Sequence, residues 1–394
     1  MKSAYPAAAY PTAARMREIA PFHVMEVVER ARQLEAAGRS IVHMEIGQPD
    51  FAAPPQVVEA AVRAMQTLPL GYTTTLGIPE LRAAISGWYA GRFRTNVHAD
   101  QIAVTVGASG AFLTALGALL NPGDEVLMAD PCYPCNRHFV RMFEGKARLL
   151  PVDARQGYQP SAVDIESHWG PATRGVVIAS PSNPTGTAVS RPELQAILAT
   201  VRRHGGFLIV DEIYQGLTYS GEPRTALELG EDVIVINSFS KYFSMTGWRL
   251  GWIVAPPPLM REMEKLAQSM FICPPAPAQY GAIASFLPQT LAVLEQRRDE
   301  FRRRRDFLVP ALTALGFKVP VMPEGAFYVY ADCTKFTADS TKFASRLLDQ
   351  AGVALAPGAD FGEHRANEHV RFAYTRSLRE LEEGIERIER FLRA

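Results

Sequence analysis

Short apolar runs alternate with helix-length segments through the middle of the chain. Six such runs, each four or five residues long, lie at 102–106, 126–129, 175–179, 207–210, 233–237 and 250–254. This alternation is typical of βαβ units, in which successive strands pair in parallel and helices cover the sheet. Ligands of such sheets bind at the carboxyl ends of the strands. The pattern therefore predicts an α/β protein with a mostly parallel sheet and one cleft at that edge.

The segments on either side of this region have different patterns. Residues 18–37 have apolar positions at helical spacing, closed by Gly38, on a face that we expect to be packed, and 41–46 is a short strand pattern. A proline-rich break at 274–277 precedes a long charged helical stretch that includes 295–305, and 378–392 reads as an amphipathic helix. We predict a flexible arm at 1–17, a small domain from 18–46 and 286–394, and a large domain from 47–285.

Composition excludes several classes of protein. The chain has 394 residues, of which 47% are apolar, and its 41 basic residues equal its 41 acidic residues in number. This balance leaves no basic footprint for nucleic acid or an anionic membrane surface. No apolar run approaches the roughly 20 residues that span a bilayer, and the start lacks the apolar core of a secretory signal. We expect a cytoplasmic protein without a nucleic-acid or membrane partner.

The four cysteines are too few for a disulfide scaffold. Cys132 and Cys135 form a C-x-x-C pair, but no second ligand pair at similar spacing is present, which argues against zinc. A redox pair would normally open a helix, whereas Pro131 and Pro134 are expected to break one here. We therefore predict no metal site and interpret these cysteines as free thiols near a binding site.

Side chains that could take part in catalysis lie at the ends of two of the predicted strands. Asp211 ends one apolar run, and thirty residues later Lys241 follows another, with Ser238 and Ser240 just before it and Arg249 eight residues after it. An amine among hydroxyls and a guanidinium suits a ligand that carries both an aldehyde and a phosphate. Pyridoxal 5'-phosphate has both groups, and proteins hold it by a lysine Schiff base with an Asp or Arg partner at the ring nitrogen. The sequence predicts this cofactor, with Lys241 and Asp211 in those two roles.

Two further motifs are suited to binding an anion. Gly107, Ala108 and Ser109 follow a predicted strand and open a helix pattern, where free backbone amides bind an anion. Such turns are common, so this one indicates a phosphate site only in combination with Lys241. Near the end of the chain, Arg371 lies within an apolar strand pattern, and an arginine there can bind a carboxylate through two parallel hydrogen bonds.

The segment 238–251 resembles the cofactor-lysine signature of class I and II aminotransferases, the aspartate aminotransferase-like family of fold-type I. The resemblance extends from about residue 15 to 394, with motifs in the family's order that include the loop at 47–51, the Asn-Pro-x-Gly turn at 183–186 and the Asp-Glu-x-Tyr segment at 211–214. It implies a large cofactor-binding domain with a mostly parallel seven-stranded sheet flanked by helices. It also implies a smaller α+β domain formed from the N- and C-terminal segments.

The resemblance also implies roles for the residues at the cofactor. The amides of Ala108 and Ser109 bind the phosphate, together with Ser238, Ser240 and Arg249. Tyr133 and Ile213 cover opposite faces of the pyridine ring, although Cys132 beside Tyr133 is not the most frequent family residue. Asn183 and Tyr214 reach the phenolic oxygen. Asp211 keeps the ring nitrogen protonated, since a nearby negative charge favours the charged form.

On the substrate side, the resemblance assigns the α-carboxylate to Arg371, with Gly47 and Asn183 beside it. Tyr72 matches a family tyrosine that reaches the phosphate of the neighbouring subunit, which implies a homodimer with shared active sites. Lys241, assisted by Asp211 and Tyr214, would act as acid and base at the substrate α-carbon.

The implied activity is transfer of an amino group from an L-amino acid to a 2-oxo acid, 2-oxoglutarate or pyruvate, in a ping-pong exchange. Fold-type I lyases such as C–S β-lyases, decarboxylases and synthases share these motifs, and the sequence does not decide among them. Relatives that serve as ligand-sensing modules of transcription regulators carry an additional N-terminal DNA-binding domain, whereas only a short arm precedes the family-like region here.

Substrate specificity is expected to come from a mostly apolar set: Ile19, Phe22, Tyr72 of the partner subunit, Phe271 and Phe327. No second arginine is obviously placed for a distal carboxylate, although His23 or Arg15 could contribute. This composition favours a neutral or small amino acid as the donor.

Overall fold

Twelve strands form three sheets in the part of the chain that the structure describes. The structure is a computed structural model, and it describes residues 11–394. The strands are β1 (Val42–His43), β2 (Ile102–Thr105), β3 (Glu125–Asp130), β4 (Lys146–Pro151), β5 (Thr173–Ala179), β6 (Phe207–Asp211), β7 (Val233–Ser238), β8 (Gly251–Val254), β9 (Tyr328–Asp332), β10 (Val353–Ala354), β11 (Ala356–Pro357) and β12 (His369–Ala373).

Helices separate most of these strands. They are α1 (His23–Ala36), α2 (Pro55–Thr67), α3 (Pro79–Phe93), α4 (Gly107–Leu119), α5 (Pro134–Met142), α6 (Ala162–His168), α7 (Arg191–Arg203), α8 (Pro257–Phe271), α9 (Ala276–Ile283), α10 (Pro288–Leu315), α11 (Ser340–Arg346) and α12 (Leu378–Arg393). Among these described residues, no helix combines the length and apolar character needed to cross a membrane.

The largest sheet has seven strands in the order β2-β8-β7-β6-β5-β3-β4. All neighbours pair in parallel except those of β8, which is antiparallel to both β2 and β7. The link from β7 to β8 is a short loop without a crossover helix, and strands joined in this way pair antiparallel. The predicted mostly parallel sheet is therefore confirmed, and all six predicted runs are strands of it.

The seventh strand, β4, was not predicted. Its residues Lys146, Arg148 and Pro151 interrupt any apolar run, and most of its side chains are partly or fully exposed because it lies at the edge of the sheet. Charged residues are common on edge strands, where they discourage pairing with other chains. An edge strand of this kind lacks the continuous apolar pattern by which its buried neighbours were recognised.

Alternate residues of the central strands pack on opposite faces of the sheet. Leu208 and Val210 of β6 join one apolar cluster, while Ile209 between them joins another. Val235 and Ile236 of β7 divide in the same way, and all of these side chains are almost fully buried. Strands that are buried on both faces read as continuous apolar runs, which is why the sequence pattern located them well.

The N-terminal elements differ from the predicted bounds. The helix expected at 18–37 begins only at His23, since Pro21 disfavours helical geometry in the residue before it. The strand expected at 41–46 is limited to β1. The backbone carbonyls of 44–47 accept hydrogen bonds from groups outside β10, the strand that pairs with β1. Residues 1–10 of the predicted arm lie outside the described residues, and 14–17 form a 3-10 turn.

A second group of elements surrounds two smaller sheets. One sheet has the order β11-β12-β9, and the other pairs β1 with β10. The predicted charged helix is α10, which ends at a left-handed Gly316, and the predicted amphipathic helix is α12. The division into a large domain at 47–285 and a small domain at 18–46 and 286–394 stays a prediction.

A carboxylate from a distant part of the chain binds the start of α1. The two oxygens of Asp360 accept hydrogen bonds from the backbone amides of His23 and Val24, at 2.6 and 2.8 Å. These amides are among those at the start of a helix that have no partner within the helix. Asp360 therefore caps α1, as the side chain of the residue just before a helix often does.

We expect Asp360→Ala to loosen α1 selectively. Loss of a helix cap costs about 1–2 kcal/mol, so hydrogen exchange of the first amides of α1 should become roughly five- to thirtyfold faster. Hydrogen–deuterium exchange of peptides covering 18–30 measures this.

The matched control is Asp349→Ala, which removes an exposed ion pair between Asp349 and Arg30 of the same helix, at 2.9 Å. Exposed pairs of this kind contribute little, so exchange at the start of α1 should be unchanged. Equal acceleration in both variants would contradict the capping role.

Candidate active site

A cavity of about 420 Å³ lies at the carboxyl ends of the parallel strands. This is the edge at which the sequence predicts a cleft. Most of the predicted site residues line it: Gly47, Ala108, Ser109, Tyr133, Asn183, Asp211, Ile213, Tyr214, Ser240, Lys241, Arg249 and Arg371. Two predicted residues, Ser238 and Tyr72, are not part of this lining.

Lys241 lies in the turn that joins β7 to β8. Its Nζ donates a 2.6 Å hydrogen bond to the backbone carbonyl of Gly47. Burial lowers the pKa of the Lys241 ammonium to about 8, and the positive charges of Arg371 and Arg249 act in the same direction, while Asp211 opposes them. Lys241 is therefore much more often a neutral amine near neutral pH than an ordinary lysine. A neutral amine is the form that condenses with an aldehyde or removes a proton.

Asp211, the last residue of β6, is buried at the floor of the same cavity. One oxygen accepts a 3.0 Å hydrogen bond from the Ile213 amide. Burial raises the pKa of the Asp211 carboxyl to about 7, against the opposing effects of this hydrogen bond and of Lys241. A buried carboxylate of this kind gains from a cationic N–H beside it, so Asp211 fits the protonated ring nitrogen of pyridoxal phosphate.

The start of α4 and Arg249, the groups predicted to bind a phosphate, line the same cavity. Gly107 begins α4 with φ +67°, and a Cβ added there would overlap the Arg249 guanidinium. The guanidinium is held by a 3.0 Å hydrogen bond from its Nη1 to the carbonyl of Thr246. The amides of Ala108 and Ser109 at this helix start therefore lie on the same side of the cavity as a fixed cation. Such a combination suits a phosphate.

Ser238 lies behind Ser240 and supports the turn. Its hydroxyl donates to the carbonyl of Leu250 at 3.1 Å and accepts from the Ser240 amide at 3.1 Å, while the two hydroxyl oxygens are 3.0 Å apart. Ser240 reaches the cavity and Ser238 does not. The sequence pattern could not separate the two, because both are small, polar and adjacent to Lys241.

Arg371, predicted to bind the substrate carboxylate, is buried and lines the cavity. Its Nη1 donates to Asn183 Oδ1 at 3.0 Å, and its Nη2 donates to the carbonyl of Glu45. The guanidinium carbon lies 4.4 Å from the ring centre of Tyr328 and 4.8 Å from that of Phe361. Two aromatic rings and two acceptors thus fix its orientation, while its Nε has no hydrogen-bond partner among the described residues. An oriented, buried guanidinium fits a carboxylate ligand.

Tyr214 approaches the cavity from the turn after β6. Its hydroxyl oxygen is 2.8 Å from that of Tyr328. Burial holds the pKa of the Tyr214 hydroxyl well above its ordinary value, so the group keeps its proton and can donate it to a hydrogen-bond acceptor. Tyr133 and Ile213, predicted to cover the two faces of a ring, both line the cavity.

Much of the cavity lining is apolar, and most of this apolar lining was missed by sequence reasoning. It contains Phe22, Val24, Met25 and Val28 of the α1 region, together with Phe112, Phe139 and Phe361. Helical spacing indicated that Val24 and Val28 belong to a packed face, whereas the face is only partly packed. Ala31 and Leu34 are buried in the protein, but Val24 and Val28 contact the cavity.

Of the side chains expected to determine specificity, only Phe22 lines the cavity. Ile19 and Phe271 lie outside the lining. Phe327 is fully buried, with its ring 5.4 Å from that of Tyr214, and the neighbouring Tyr328 lines the cavity instead. Successive side chains of an extended segment point to opposite sides. Tyr328 therefore points into the cavity, and Phe327, the residue predicted, points away from it.

The C-x-x-C pair opens a helix, contrary to the prediction. Pro134 is the first residue of α5, a position that suits proline, and Cys135 follows it. Burial raises the pKa of the Cys132 thiol to about 12 and also raises that of Cys135. Reactive thiols have lowered pKa values, so the environment of these two free thiols still argues against redox chemistry.

Comparison with known proteins decides the family. Residues 39–388 match the model of the family described as aminotransferase class I and II. The chain belongs to this family. It is 39% identical to valine–pyruvate aminotransferase of Mycobacterium tuberculosis, over 95% of this chain and 97% of that protein. It is 34% identical to aspartate/prephenate aminotransferase of Thermus thermophilus, over 96% of this chain and 98% of that protein.

Solved structures agree with this assignment. An aminotransferase from Mycobacterium tuberculosis superposes with a TM-score of 0.94 at 38% identity, covering 98% of this chain and 99% of the other. Aspartate aminotransferase from Thermus thermophilus with maleate gives 0.92 at 33% identity, covering 97% and 99%. The predicted family, fold and pyridoxal phosphate cofactor are confirmed. The enzyme is a transaminase acting on amino acids and 2-oxo acids, and the lyase, decarboxylase, synthase and regulator alternatives are set aside.

The contact between Gly107 and Arg249 predicts the effect of Gly107→Ala on cofactor binding. The new methyl group would displace the guanidinium and disturb the adjoining amides, so affinity for pyridoxal phosphate should fall by roughly tenfold or more. Titration of the cofactor-free protein, followed by cofactor absorbance, measures this.

Gly205→Ala is the matched control. Gly205 has φ +64°, close to that of Gly107, but an added Cβ there meets nothing within 4 Å. Both variants bear the strain of a left-handed alanine, roughly 1–2 kcal/mol, and only Gly107→Ala should lose cofactor. Equal affinities would show that the start of α4 is not the phosphate site.

Proposed function

We propose that this enzyme transfers the amino group of a neutral, mainly apolar or small L-amino acid to 2-oxoglutarate or pyruvate in a ping-pong exchange. The observation that carries the donor class is the apolar wall of Phe22, Val24, Met25 and Val28, which shares the cavity with Arg371. Arg371 would bind the α-carboxylate that every donor and acceptor has in common. The wall would then contact the side chain, which distinguishes one donor from another.

The charges in the cavity support this donor class. Among the described residues, the arginines that line the cavity are Arg249 and Arg371. In this proposal both are used, one by the cofactor phosphate and one by the α-carboxylate. His23 and Arg15 do not line the cavity, and Arg15 pairs with Glu144 at 3.2 Å. A distal carboxylate on a donor would therefore enter an apolar region without a matching cation, which is unfavourable.

The residues present would hold pyridoxal phosphate as the resemblance implies. The amides of Ala108 and Ser109, with Ser240 and Arg249, would bind the phosphate, and Asp211 would pair with the ring nitrogen. When bound, the cofactor supplies an aldehyde that condenses with amines and a protonated ring that withdraws electrons from the substrate α-carbon.

The side chains of the protein then divide the remaining tasks. Arg371 orients the substrate by its carboxylate, and Asn183 fixes Arg371 through a 3.0 Å hydrogen bond. The Lys241 amine, with its lowered pKa, would take the proton from the substrate α-carbon and deliver it to the carbon that carried the aldehyde of the cofactor. Tyr214 keeps its proton and donates a hydrogen bond toward the phenolic oxygen. The apolar wall excludes water from the reacting atoms, which strengthens each of these interactions.

A second subunit is part of the proposal. Exposed apolar side chains recur along one face of α2, at Val58, Val62 and Met65, and continue to Leu68 and Tyr72 in the following loop. Tyr72 is 84% exposed. A group of exposed apolar side chains of this kind is characteristic of an interface. We infer a homodimer in which Tyr72 of each subunit completes the phosphate site of the other.

The decisive test of function follows the absorbance of the cofactor–lysine chromophore while single amino acids are added without any oxo acid. Valine or alanine should convert the cofactor to its amine form, and aspartate should react at least roughly tenfold more slowly, because its distal carboxylate would lose solvation without gaining a cation. Lys241→Ala is the control and should show no conversion. Aspartate reacting as fast as valine would contradict the proposed donor class.

The shared site predicts complementation between two damaged subunits. Lys241→Ala alone should be inactive, and Tyr72→Ala alone should bind the cofactor weakly. A mixed dimer, in contrast, contains one site with an intact Lys241 from one subunit and an intact Tyr72 from the other. Mixing the two variants, with time for subunit exchange, should therefore give activity well above the sum of the separate proteins. Activity equal to that sum, with dimers present in sedimentation, would refute the sharing of Tyr72.

A further inference from the structure

Tyr328 contacts both halves of the proposed site, although nothing in its sequence surroundings singled it out. It is the first residue of β9, it is buried, and it lines the cavity. The adjoining strand β12 carries Arg371, in antiparallel register with Tyr328 opposite Ala373. This register places the Tyr328 side chain diagonally across from Arg371.

The ring of Tyr328 supports the arginine proposed to bind the carboxylate. The Arg371 guanidinium carbon lies 4.4 Å from the ring centre of Tyr328, and Phe361 contacts the same guanidinium at 4.8 Å. A guanidinium between two ring faces is attracted to both and loses rotational freedom. The Tyr328 ring therefore helps to hold the guanidinium where it meets a carboxylate.

The hydroxyl of Tyr328 reaches the group proposed to bind the cofactor. It lies 2.8 Å from the hydroxyl of Tyr214, and either oxygen can be the donor. It also passes so close to Gly47 that a Cβ there would overlap it. Gly47 is the residue whose carbonyl accepts from Lys241. The hydroxyl is therefore enclosed between a cofactor-side tyrosine and the segment that binds the catalytic lysine.

We propose that Tyr328 is a positioning residue with two separable functions: its ring orients Arg371, and its hydroxyl donates to Tyr214 so that Tyr214 donates more strongly to the cofactor. This inference rests on the proposed function of the site. A phenol whose oxygen already accepts a hydrogen bond is a stronger donor through its own proton. Stronger donation to the phenolic oxygen stabilises its anionic form and lowers the pKa of the cofactor–lysine chromophore.

Two substitutions separate the ring from the hydroxyl. Tyr328→Phe keeps the ring, so the pKa of the chromophore should rise by roughly half a unit to one unit, the effect of one lost hydrogen bond. Binding of a carboxylate analogue that cannot react should stay within about threefold of wild type. Tyr328→Leu also removes the ring, so binding of the same analogue should weaken by roughly tenfold or more.

The measurements are a spectrophotometric pH titration of the holoenzyme and a titration with 3-methylbutanoate, a carboxylate without an amino group. Tyr330→Phe is the matched control, because Tyr330 is a buried tyrosine of the same strand that stacks on His369 and does not line the cavity. It should behave like wild type in both titrations. Thermal unfolding of each cofactor-free protein shows whether the variants are folded.

An unchanged chromophore pKa in Tyr328→Phe would overturn the role of the hydroxyl. Unchanged analogue binding in a folded Tyr328→Leu would overturn the role of the ring, and if this variant does not fold, Tyr328→Met, which also lacks the ring, replaces it in the same titration. A wild-type protein whose chromophore responds to no amino acid would refute the proposed function itself. That result is visible before any variant is made, so the two failures are distinguishable.

Discussion

Burial of one amine, that of Lys241, beside two arginines is the constraint on which the rest of the site depends. Burial lowers the pKa of the Lys241 ammonium most, the charges of Arg371 and Arg249 lower it further, and Asp211 only partly offsets these effects. Two other carboxylates that line the cavity are bound elsewhere, Asp360 by the start of α1 and Glu45 by His43 at 2.7 Å. Cations in a largely apolar cavity gain from anionic ligands. The site is thus suited to a ligand with a phosphate and a substrate with a carboxylate, and burial, assisted by the two arginines, favours the neutral amine of Lys241.

The fold meets this constraint by bringing several strand ends to one short segment of backbone. The carbonyls of Glu45, Ile46 and Gly47 accept hydrogen bonds from Arg371, from the Thr375 hydroxyl and from Lys241, respectively. Three consecutive carbonyls therefore connect Lys241 to Arg371. This explains why β1 ends at His43 although the apolar pattern continues: the backbone groups that would extend the strand are committed to the site.

The limits of prediction from the sequence follow from the same physics. Central strands were found because burial on both faces requires continuous apolar residues, and the polar residues at their ends could be assigned because each follows such a run. Three features could not be found in this way: the edge strand β4, the position of Tyr328 rather than Phe327 in the cavity lining, and the capping of α1 by Asp360. Strand β4 lacks an apolar run. The choice between Phe327 and Tyr328 depends on which of two neighbouring side chains points into the cavity. The cap on α1 joins residues more than 330 positions apart in the sequence.

The residues that escaped prediction are also those that would distinguish this enzyme from its relatives. The residues proposed to bind the cofactor lie at strand ends and at the start of α4, and sequence motifs record these positions well. The donor side chain would instead meet α1, a separate helix held over the cavity by Asp360 and by apolar contacts. Exchanging a few residues of that helix would alter the polarity of the wall without moving Lys241, Asp211 or Arg371. Relatives that are one-third identical can therefore share the chemistry and still differ in donor, so the composition of this wall, rather than the motifs, is the feature from which the substrate should be inferred.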